Sequence, residues 1–416
     1  MDRFPSPREC DRLRELARRV ADIAAQPEQA EKADLWARHN DLERTRPLVL
    51  IFPEGSWSEL AADWTYVCEH PLARRYEHDL LTRIYCWEHL RDDNVIEPVV
   101  HCPIAVRNTG YGLQAERTPS EAAKGAYHIE PVLIEESDIE KIRIPEVTVD
   151  WERTRREEEQ VRELFAGILG VRLVVGWGGN IGWAPMDQLA LWRGIDRLYL
   201  DLVERPEWVH AVMARLLAGK MAEIDALESQ GALRLNNRNH YNGSGGVGYT
   251  RQLPAPGYTG GPARCRDLWA MATAQIFSEV SPSMHEEFAL GYERPFLERF
   301  GLSNYGCCEP LHHKLDHVLR IRNLRRVSIS PWANIERSAE RLGDRYVFSW
   351  KPNPAIVAAT TWQPETVRAG LRSFCERTRG CVTDIIMKDT HTCNREPRRL
   401  HDWVRIAREV ALEFAP

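Results

Sequence analysis

The stretch Leu302-Ser-Asn-Tyr-Gly-Cys-Cys-Glu-Pro310 predicts a short strand, Leu302 to Tyr305, that runs into a loop at Gly306. A helical pattern precedes this stretch, and a basic, histidine-containing helix is predicted after it. Two adjacent cysteines and a carboxylate therefore stand directly beyond a strand. Loops at the ends of buried strands are where α/β proteins carry chemistry, so we expect this loop to lie in the functional site.

Strand and helix patterns alternate on both sides of that loop. The predicted strands are 47–52, 97–105, 171–175, 233–237, 302–305, 327–330, 346–350 and 382–387, and long helices are predicted at 186–203, 206–230 and 267–280. Such alternation predicts a parallel sheet, and about eight units favour a (β/α)8 barrel of the TIM type. We assign the barrel to residues 47–416 and a helical extension, a possible homodimer arm, to residues 1–46.

The composition excludes several classes of function. The chain has 416 residues, a net charge of −6 and no basic block, so it has no footprint for nucleic acid. No apolar run is long enough to span a membrane, and the charged N-terminus lacks the apolar core of a signal peptide. We expect a cytoplasmic enzyme, in which ten cysteines are too sparse to form a disulfide scaffold.

The barrel hypothesis places the loops after the strands around one site. Their polar and aromatic residues are Glu54, Trp57, Trp177, Asn180, Arg238, His240, Tyr241, Asn242, Cys307, Cys308, Glu309, Ser330, Trp332, Lys351, Asn353, Lys388, Asp389, His391 and Cys393. The glycine-rich segment Gly243 to Gly248 has the wrong spacing for a dinucleotide fingerprint, and no helix follows it directly.

Four soft-ligand side chains form the sharpest constellation, and they come from two separate loops. They are Cys307, Cys308, His391 and Cys393. Thiolate and imidazole groups suit Zn²⁺, and a catalytic zinc usually has three protein ligands and one open position. The alternative is that these cysteines are small packing residues, because no zinc-finger spacing is present.

The C-terminal part of the chain resembles the uroporphyrinogen decarboxylase superfamily, and within it the zinc-dependent, corrinoid-linked methyltransferases. The resemblance covers about residues 160–416, and it rests on the order of the motifs. These are the cysteine loop after a strand, Ser328-Ile-Ser330, Arg341-Leu-Gly-Asp-Arg-Tyr-Val347, Lys351-Pro-Asn-Pro354 and the last cysteine loop. The resemblance implies a (β/α)8 barrel.

In these methyltransferases zinc is held by a His-x-Cys pair and a distant cysteine. The resemblance therefore implies Cys307 and Cys393 as ligands, whereas the histidine position holds Tyr305, or Gly306 if Cys308 is the matching cysteine. The replacement ligand would be Cys308, Glu309 or His391. The arginine-rich motif that grips propionates in the decarboxylase is absent from 48–57, and Glu54 stands there instead, so decarboxylation of uroporphyrinogen is not expected.

The leading hypothesis is methyl transfer between a corrinoid, carried by a separate protein, and a thiol or other small acceptor activated by zinc. The predicted catalytic residues are Glu309 and Asp389, which would orient the ligands, and His240 and Tyr241, which would also shape the substrate pocket. The predicted substrate-binding residues are Glu54, Trp177, Asn180, Asn242 and Lys388. The alternatives are a metal-free lyase or decarboxylase, in which His240, Tyr241, Arg238 and Lys388 act on a small carboxylate by acid–base chemistry, and a barrel that binds a ligand without turning it over.

Overall fold

A computed structural model of the chain describes residues 5–118, 128–176 and 178–416. Its strands are β1 Leu48–Ile51, β2 Val99–Pro103, β3 Val106–Asn108, β4 Glu116–Thr118, β5 His128–Glu130, β6 Val147–Val149, β7 Gly170–Val174, β8 Gly182–Trp183, β9 Tyr241–Asn242, β10 Gly246–Val247, β11 Trp269–Ala272, β12 Leu302–Tyr305, β13 Leu324–Ile329, β14 Val347–Trp350 and β15 Val382–Met387.

The helices lie between these strands and at both ends of the chain. They are α1 Pro7–Ala24, α2 Pro27–Asn40, α3 Trp57–Leu60, α4 Pro71–Tyr85, α5 Trp151–Leu164, α6 Pro185–Arg193, α7 Ile195–Glu204, α8 Pro206–Ser229, α9 Pro282–His285, α10 Gly291–Leu297, α11 Leu315–Val318, α12 Ile335–Leu342, α13 Ala355–Ala358, α14 Pro364–Arg377 and α15 Arg398–Glu413. None of the described helices is both long and apolar enough to cross a membrane.

A seven-stranded sheet organises the molecule, in the order β1-β15-β14-β13-β12-β11-β8. Every neighbouring pair in it is parallel, so the carboxyl ends of all seven strands lie at one edge. Strands β2 and β7 form a separate parallel pair. The predicted α/β class with a parallel sheet is confirmed, whereas hydrogen bonding between the described strands does not trace a closed barrel.

The two largest hydrophobic cores show how the elements pack. The larger lies around the seven-stranded sheet, with Val327, Phe348 and Ile385 fully buried in it. The smaller joins α1 to α4, β2 and α5, and it contains Leu13, Leu16 and other residues spaced at helical intervals. Burying a side chain of this size contributes roughly 1.5–3 kcal/mol, so the charged helix α1 is held by its one apolar stripe.

Helix α2 closes the opposite end of the sheet from the cysteine loop. Trp36 packs against Leu48 and Leu50 of β1, and its indole nitrogen donates to the carbonyl of Asp93 at 2.8 Å. The predicted helical extension 1–46 contains the two helices α1 and α2 within its described residues, and both pack on the rest of the chain. Its role as a dimer arm stays a prediction.

Three predicted elements differ from the structure. Residues 233–237 form no strand, and the predicted helix at 267–280 contains strand β11 followed by a short 3-10 turn. The predicted helix at 186–203 is broken at Gly194, whose φ of 83° lies in the left-handed region and separates α6 from α7.

Candidate functional site

The loop that follows β12 is shaped by a glycine. Gly306 has a φ of 90°, and a Cβ atom there would approach Leu311 Cδ1 to 2.5 Å, so a side chain would be strained and would clash. The turn brings the next residue to the edge where the parallel strands end. Ser328 Oγ of the neighbouring strand donates to the carbonyl of Cys307 at 2.9 Å and fixes this placement.

The thiol of Cys307 is held by hydrogen bonds. Its Sγ is 3.5 Å from Cys308 Sγ and accepts from Ser244 Oγ at 3.2 Å. The hydrogen bond with Cys308 lowers the pKa of Cys307, burial opposes this effect, and Ser244 and the Lys388 ammonium lower the pKa further. The same contact, together with burial, raises the pKa of Cys308. Of the two, Cys307 is therefore the thiol that ionises.

Glu309 ties this loop to the loop that follows β11. The carboxylate is fully buried and accepts from Thr273 Oγ1 at 2.8 Å, from the Cys307 amide at 2.9 Å and from the Ala274 amide at 3.3 Å. An ionised carboxylate that accepts several hydrogen bonds is a strong structural anchor. Glu309, predicted as catalytic, positions Cys307 in this structure.

Lys388 forms the second charged part of the site. Its Nζ donates to Tyr241 Oη at 2.8 Å and is 3.6 Å from Glu54 Oε1. Burial lowers the pKa of Lys388, but Tyr241 and the Cys307 thiolate more than compensate and raise it above its ordinary value. Burial raises the pKa of Tyr241, against the opposing effect of Lys388. The site therefore holds a protonated lysine beside a protonated phenol.

The loop after β15 is bonded to the loops after β1 and β12 through Asp389. The Asp389 amide donates to Glu54 Oε2 at 2.6 Å, and Cys308 Sγ lies 3.6 Å from Asp389 Oδ2. Both Glu54 and Asp389 have positive φ values, of 46° and 56°. Non-glycine residues in that region are uncommon and cluster at functional sites. The structure thus brings together Glu54, Tyr241, Cys307, Cys308, Lys388 and Asp389, all of which the sequence predicted.

Cys393 lies apart from this group. It is fully buried, and its thiol donates to Glu59 Oε2 at 3.1 Å. Burial and the neighbouring Glu59 carboxylate raise the pKa of Cys393 to about 12. The backbone of His391 packs against Gly55, where an added Cβ atom would be 3.0 Å from the His391 Cα. The contact with Glu59 explains why the last cysteine loop does not deliver Cys393 to Cys307.

These distances test the predicted zinc site. Tetrahedral zinc with Zn–S bonds of ~2.3 Å places two sulfur atoms ~3.8 Å apart. The 3.5 Å between Cys307 and Cys308 is close to that separation. Within residues 5–118, 128–176 and 178–416, however, no group of three or more His, Cys, Asp and Glu side chains is arranged to hold a metal ion. The set Cys307, Cys308, His391 and Cys393 therefore does not fit zinc in this arrangement.

Three further predicted residues lie elsewhere in the fold. His240 is buried and stacks on His101, with ring centroids 5.5 Å apart, and burial lowers the pKa of His240 to about 3. Asn242 accepts from Asn304 Nδ2 at 2.6 Å in the buried interior. Asn180 Nδ2 contacts Met271 Sδ at 3.8 Å. Trp177, a predicted substrate contact, lies outside the described residues.

A cavity of about 380 Å³ adjoins the strand ends. Its lining residues are Tyr111, Gly182, Trp183, Ala184, Gln188, Leu216, Met271 and Thr273. It lies at the edge of β8 and β11, and Thr273 connects it to the cysteine loop through the hydrogen bond to Glu309. A larger groove of about 1090 Å³ runs along α4, the end of β2 and α5, and none of the clustered site residues lines it.

A chain of buried polar groups beneath the site was missed by sequence reasoning. Arg326 Nη1 is 2.5 Å from Asp384 Oδ2, and His39 Nε2 is 3.1 Å from the same oxygen. Ser349 Oγ donates to Asp384 Oδ1 at 2.6 Å and accepts from Lys351 Nζ at 2.8 Å. One signal was present, because polar residues in the middle of otherwise apolar strands face either solvent or a polar interior.

A second buried cluster lies behind β12. The Tyr305 hydroxyl contacts Glu293 Oε2 at 2.6 Å and His285 Nε2 at 2.9 Å, and all three side chains are fully buried. Tyr305 occupies the position where the resemblance placed a zinc-binding histidine. Its side chain points to the helices α9 and α10 and away from the cysteine pair.

Comparison with known proteins finds solved structures that are similar to this chain. No protein-family profile and no curated protein matches the chain. A solved structure, a methyltransferase from Methanosarcina mazei, is similar to it with 10% sequence identity and a TM-score of 0.47, over 91% of this chain and 97% of that chain. A TM-score at this level carries no inference about the activity of this chain.

Proposed function

We propose that this chain is a methyltransferase in which the thiolate of Cys307 receives and passes on a methyl group. The observation that supports the proposal is the environment of Cys307, whose sulfur accepts a hydrogen bond from Ser244 at 3.2 Å, contacts the Cys308 thiol at 3.5 Å and lies near the Lys388 ammonium. A thiolate is the form of cysteine that acts as a nucleophile. A polarisable thiolate is a suitable nucleophile towards a methyl carbon.

The proposed step is a displacement at the methyl carbon. The lone pair of Cys307 Sγ forms an S–C bond while the bond from the methyl carbon to the donor breaks, and that electron pair leaves with the donor. The Tyr241 hydroxyl, beside Lys388, is placed to give a proton to a basic leaving group. In the second step the thiolate form of the acceptor attacks the methyl carbon, the bond from that carbon to Cys307 Sγ breaks, and its electron pair leaves with Cys307 as the thiolate.

Three finer predictions rest on the sequence pattern and on the resemblance. They are closure of the sheet into a (β/α)8 barrel, zinc held by Cys307, Cys393 and either Cys308 or His391, and a corrinoid delivered by a separate protein. Zinc, when bound, would lower the pKa of a thiol acceptor. No step above depends on it, because Cys393 is bonded to Glu59. Elemental analysis of the wild type, Cys307→Ser and Cys393→Ser tests the zinc prediction, which requires about one zinc per chain and its loss in both variants.

Methyl transfer is tested with methylcobalamin and, separately, S-adenosylmethionine as donors and with 2-mercaptoethanol as acceptor. We expect the wild type to form the methyl thioether, and peptide mapping after omission of the acceptor to find a methyl group on Cys307. The matched control is Cys381→Ser, because Cys381 is half-buried and its thiol donates to the Ala339 carbonyl at 3.8 Å, away from the clustered site residues. A Cys307→Ser variant as active as Cys381→Ser, or a wild type inactive with both donors, contradicts the proposal.

A metal-free lyase acting on a small carboxylate is the second candidate. It is favoured by the contact between Lys388 Nζ and Tyr241 Oη, since a buried ammonium can bind a carboxylate while the phenol donates a proton. His240, which the sequence also assigned to this chemistry, is stacked on His101 instead. Turnover of a carboxylate that survives Cys307→Ser and is abolished in Tyr241→Phe would support the lyase. Tight binding without any product would support the non-catalytic alternative.

A further inference from the structure

Lys351 is a buried amine at the edge of the sheet where the site lies. It follows β14 directly, and its amide donates to the carbonyl of Ile329 at 2.8 Å, which continues the sheet by one residue. The residue is only 6% exposed. Its Nζ contacts Ser349 Oγ at 2.8 Å and the Ser349 carbonyl at 3.3 Å.

This amine has no acidic partner of its own. Within the described part of the chain, no carboxylate lies at ion-pairing distance from Lys351 Nζ. The nearest acid, Asp384, is one hydroxyl group away, and its charge is already matched by Arg326 at 2.5 Å. A buried ammonium without a carboxylate is costly, so lysine in such a place loses its proton.

Burial and the surrounding charged groups both act on the pKa of Lys351. Burial lowers its pKa to about 7, Asp384 and the Cys307 thiolate oppose this, and the cations Arg326 and Lys388 lower the pKa further. A large fraction of Lys351 is therefore a neutral amine near neutral pH. A neutral amine carries the free lone pair that an ammonium lacks.

We propose that Lys351 is a nucleophilic amine that forms a Schiff base with a small carbonyl compound, either a 2-oxo acid or a short aldehyde. Its location supports this, because catalytic residues of parallel α/β proteins stand at the carboxyl ends of strands. Its burial restricts the partner to a small molecule. The positive charge of the neighbouring Lys388 ammonium would attract the carboxylate of a 2-oxo acid. This activity is separate from methyl transfer at Cys307 and does not rest on it.

The chemistry is a condensation that releases one water molecule. The lone pair of Lys351 Nζ attacks the carbonyl carbon, the C–N bond forms, and the π electrons of the carbonyl move to its oxygen, which takes up a proton. The nitrogen gives up its two protons, the first to this oxygen and the second as the oxygen leaves as water, and a C=N bond remains. Borohydride delivers a hydride to the imine carbon and converts the bond to a stable secondary amine.

The test is reductive trapping on the full-length wild-type chain. The protein is incubated with pyruvate or with acetaldehyde, reduced with borohydride, digested and mapped by mass spectrometry. We expect one reduced adduct, on Lys351, with pyruvate, acetaldehyde or both, and the two arms separate a 2-oxo acid from a neutral aldehyde. Labelling should rise with pH through about 7, in line with the lowered pKa of Lys351.

Lys314 provides a control within the same chain. It is also buried, and burial lowers its pKa to about 8, but its ammonium donates to the main-chain carbonyl oxygens of Phe277 and Ser278 behind the sheet. Adducts spread over Lys314 and surface lysines, or absent from Lys351 with both probes, would overturn the proposal. Since the adduct is located on the wild-type protein, the result does not depend on whether a variant of Lys351 folds.

Discussion

Replacing Glu293 with glutamine should remove a pH dependence from the stability of this fold. Glu293 is fully buried behind β12, and burial raises its pKa from 4.5 to about 8 although the Tyr305 hydrogen bond opposes the change. The folded state therefore holds a proton that the unfolded chain has released. Between about pH 5 and about pH 8 the folded protein binds more protons, so stability falls as the pH rises through that window.

The size of the effect follows from the two pKa values. Each pH unit in the window lowers the free energy of unfolding by roughly 1.4 kcal/mol, so the total loss is at most about 5 kcal/mol. Relaxation of the surroundings reduces such costs, so we expect about 1–3 kcal/mol between pH 5 and pH 8.5. The glutamine of the Glu293→Gln variant would carry no ionisable proton and would still offer a donor and an acceptor to Tyr305.

The assay is urea unfolding followed by circular dichroism, at about pH 5 and about pH 8.5. The wild type should lose stability relative to Glu293→Gln at the higher pH, and the two should be similar at the lower pH. Glu287→Gln is the control, because Glu287 is an exposed carboxylate in the adjoining turn and contacts His210 at 3.2 Å. A constant difference between wild type and Glu293→Gln at both pH values would refute the reasoning.

Three further predictions concern the site and the groups beneath it. Iodoacetamide should alkylate Cys307 well before Cys393 at neutral pH, as read by peptide mass spectrometry, because the pKa of Cys307 is lowered and that of Cys393 is raised to about 12. Arg326→Met should lower the free energy of unfolding by about 3–5 kcal/mol in urea titrations, since Asp384 would be left buried without its cation, and Arg326→Met/Asp384→Asn should lose less. Gly306→Ala should cost about 1–3 kcal/mol in the same assay, because φ is 90° there and the added Cβ would meet a leucine methyl; an unchanged unfolding midpoint would contradict the assigned turn.

The sequence predicts the strands of the sheet well where they are short, apolar and bounded by turn residues. The predicted strands Leu302–Tyr305 and Val382–Met387 are those of the structure. The strand Trp269–Ala272 was missed because its alanines and methionine favour helices in isolation, and burial in the sheet overrides that preference. The segment 233–237 has strand-like residues but forms no strand beside those of the sheet.

The site is predictable to the level of its loops. The rule that parallel strands end at one edge correctly brings Cys307, Lys388 and Glu54 together. It does not predict which way a loop side chain turns, and Cys393 turns towards Glu59, a residue 334 positions away in the sequence. The chain from Asp384 to Lys351 is equally beyond sequence reasoning, since its members come from different strands and meet only through the sheet register.

The pairing of β1 with β15 has a consequence for synthesis on the ribosome. Leu48 is in register with Asp384, so β1 leaves the ribosome long before the strand to which it is hydrogen-bonded. All four residues of β1 are buried in the finished protein. Until β15 emerges, this apolar segment has no strand to pair with and stays exposed. Chaperones bind such exposed apolar surface, and the same surface drives aggregation. Truncated nascent chains that end before β15 should therefore depend on chaperones, and release from them should coincide with translation of that strand.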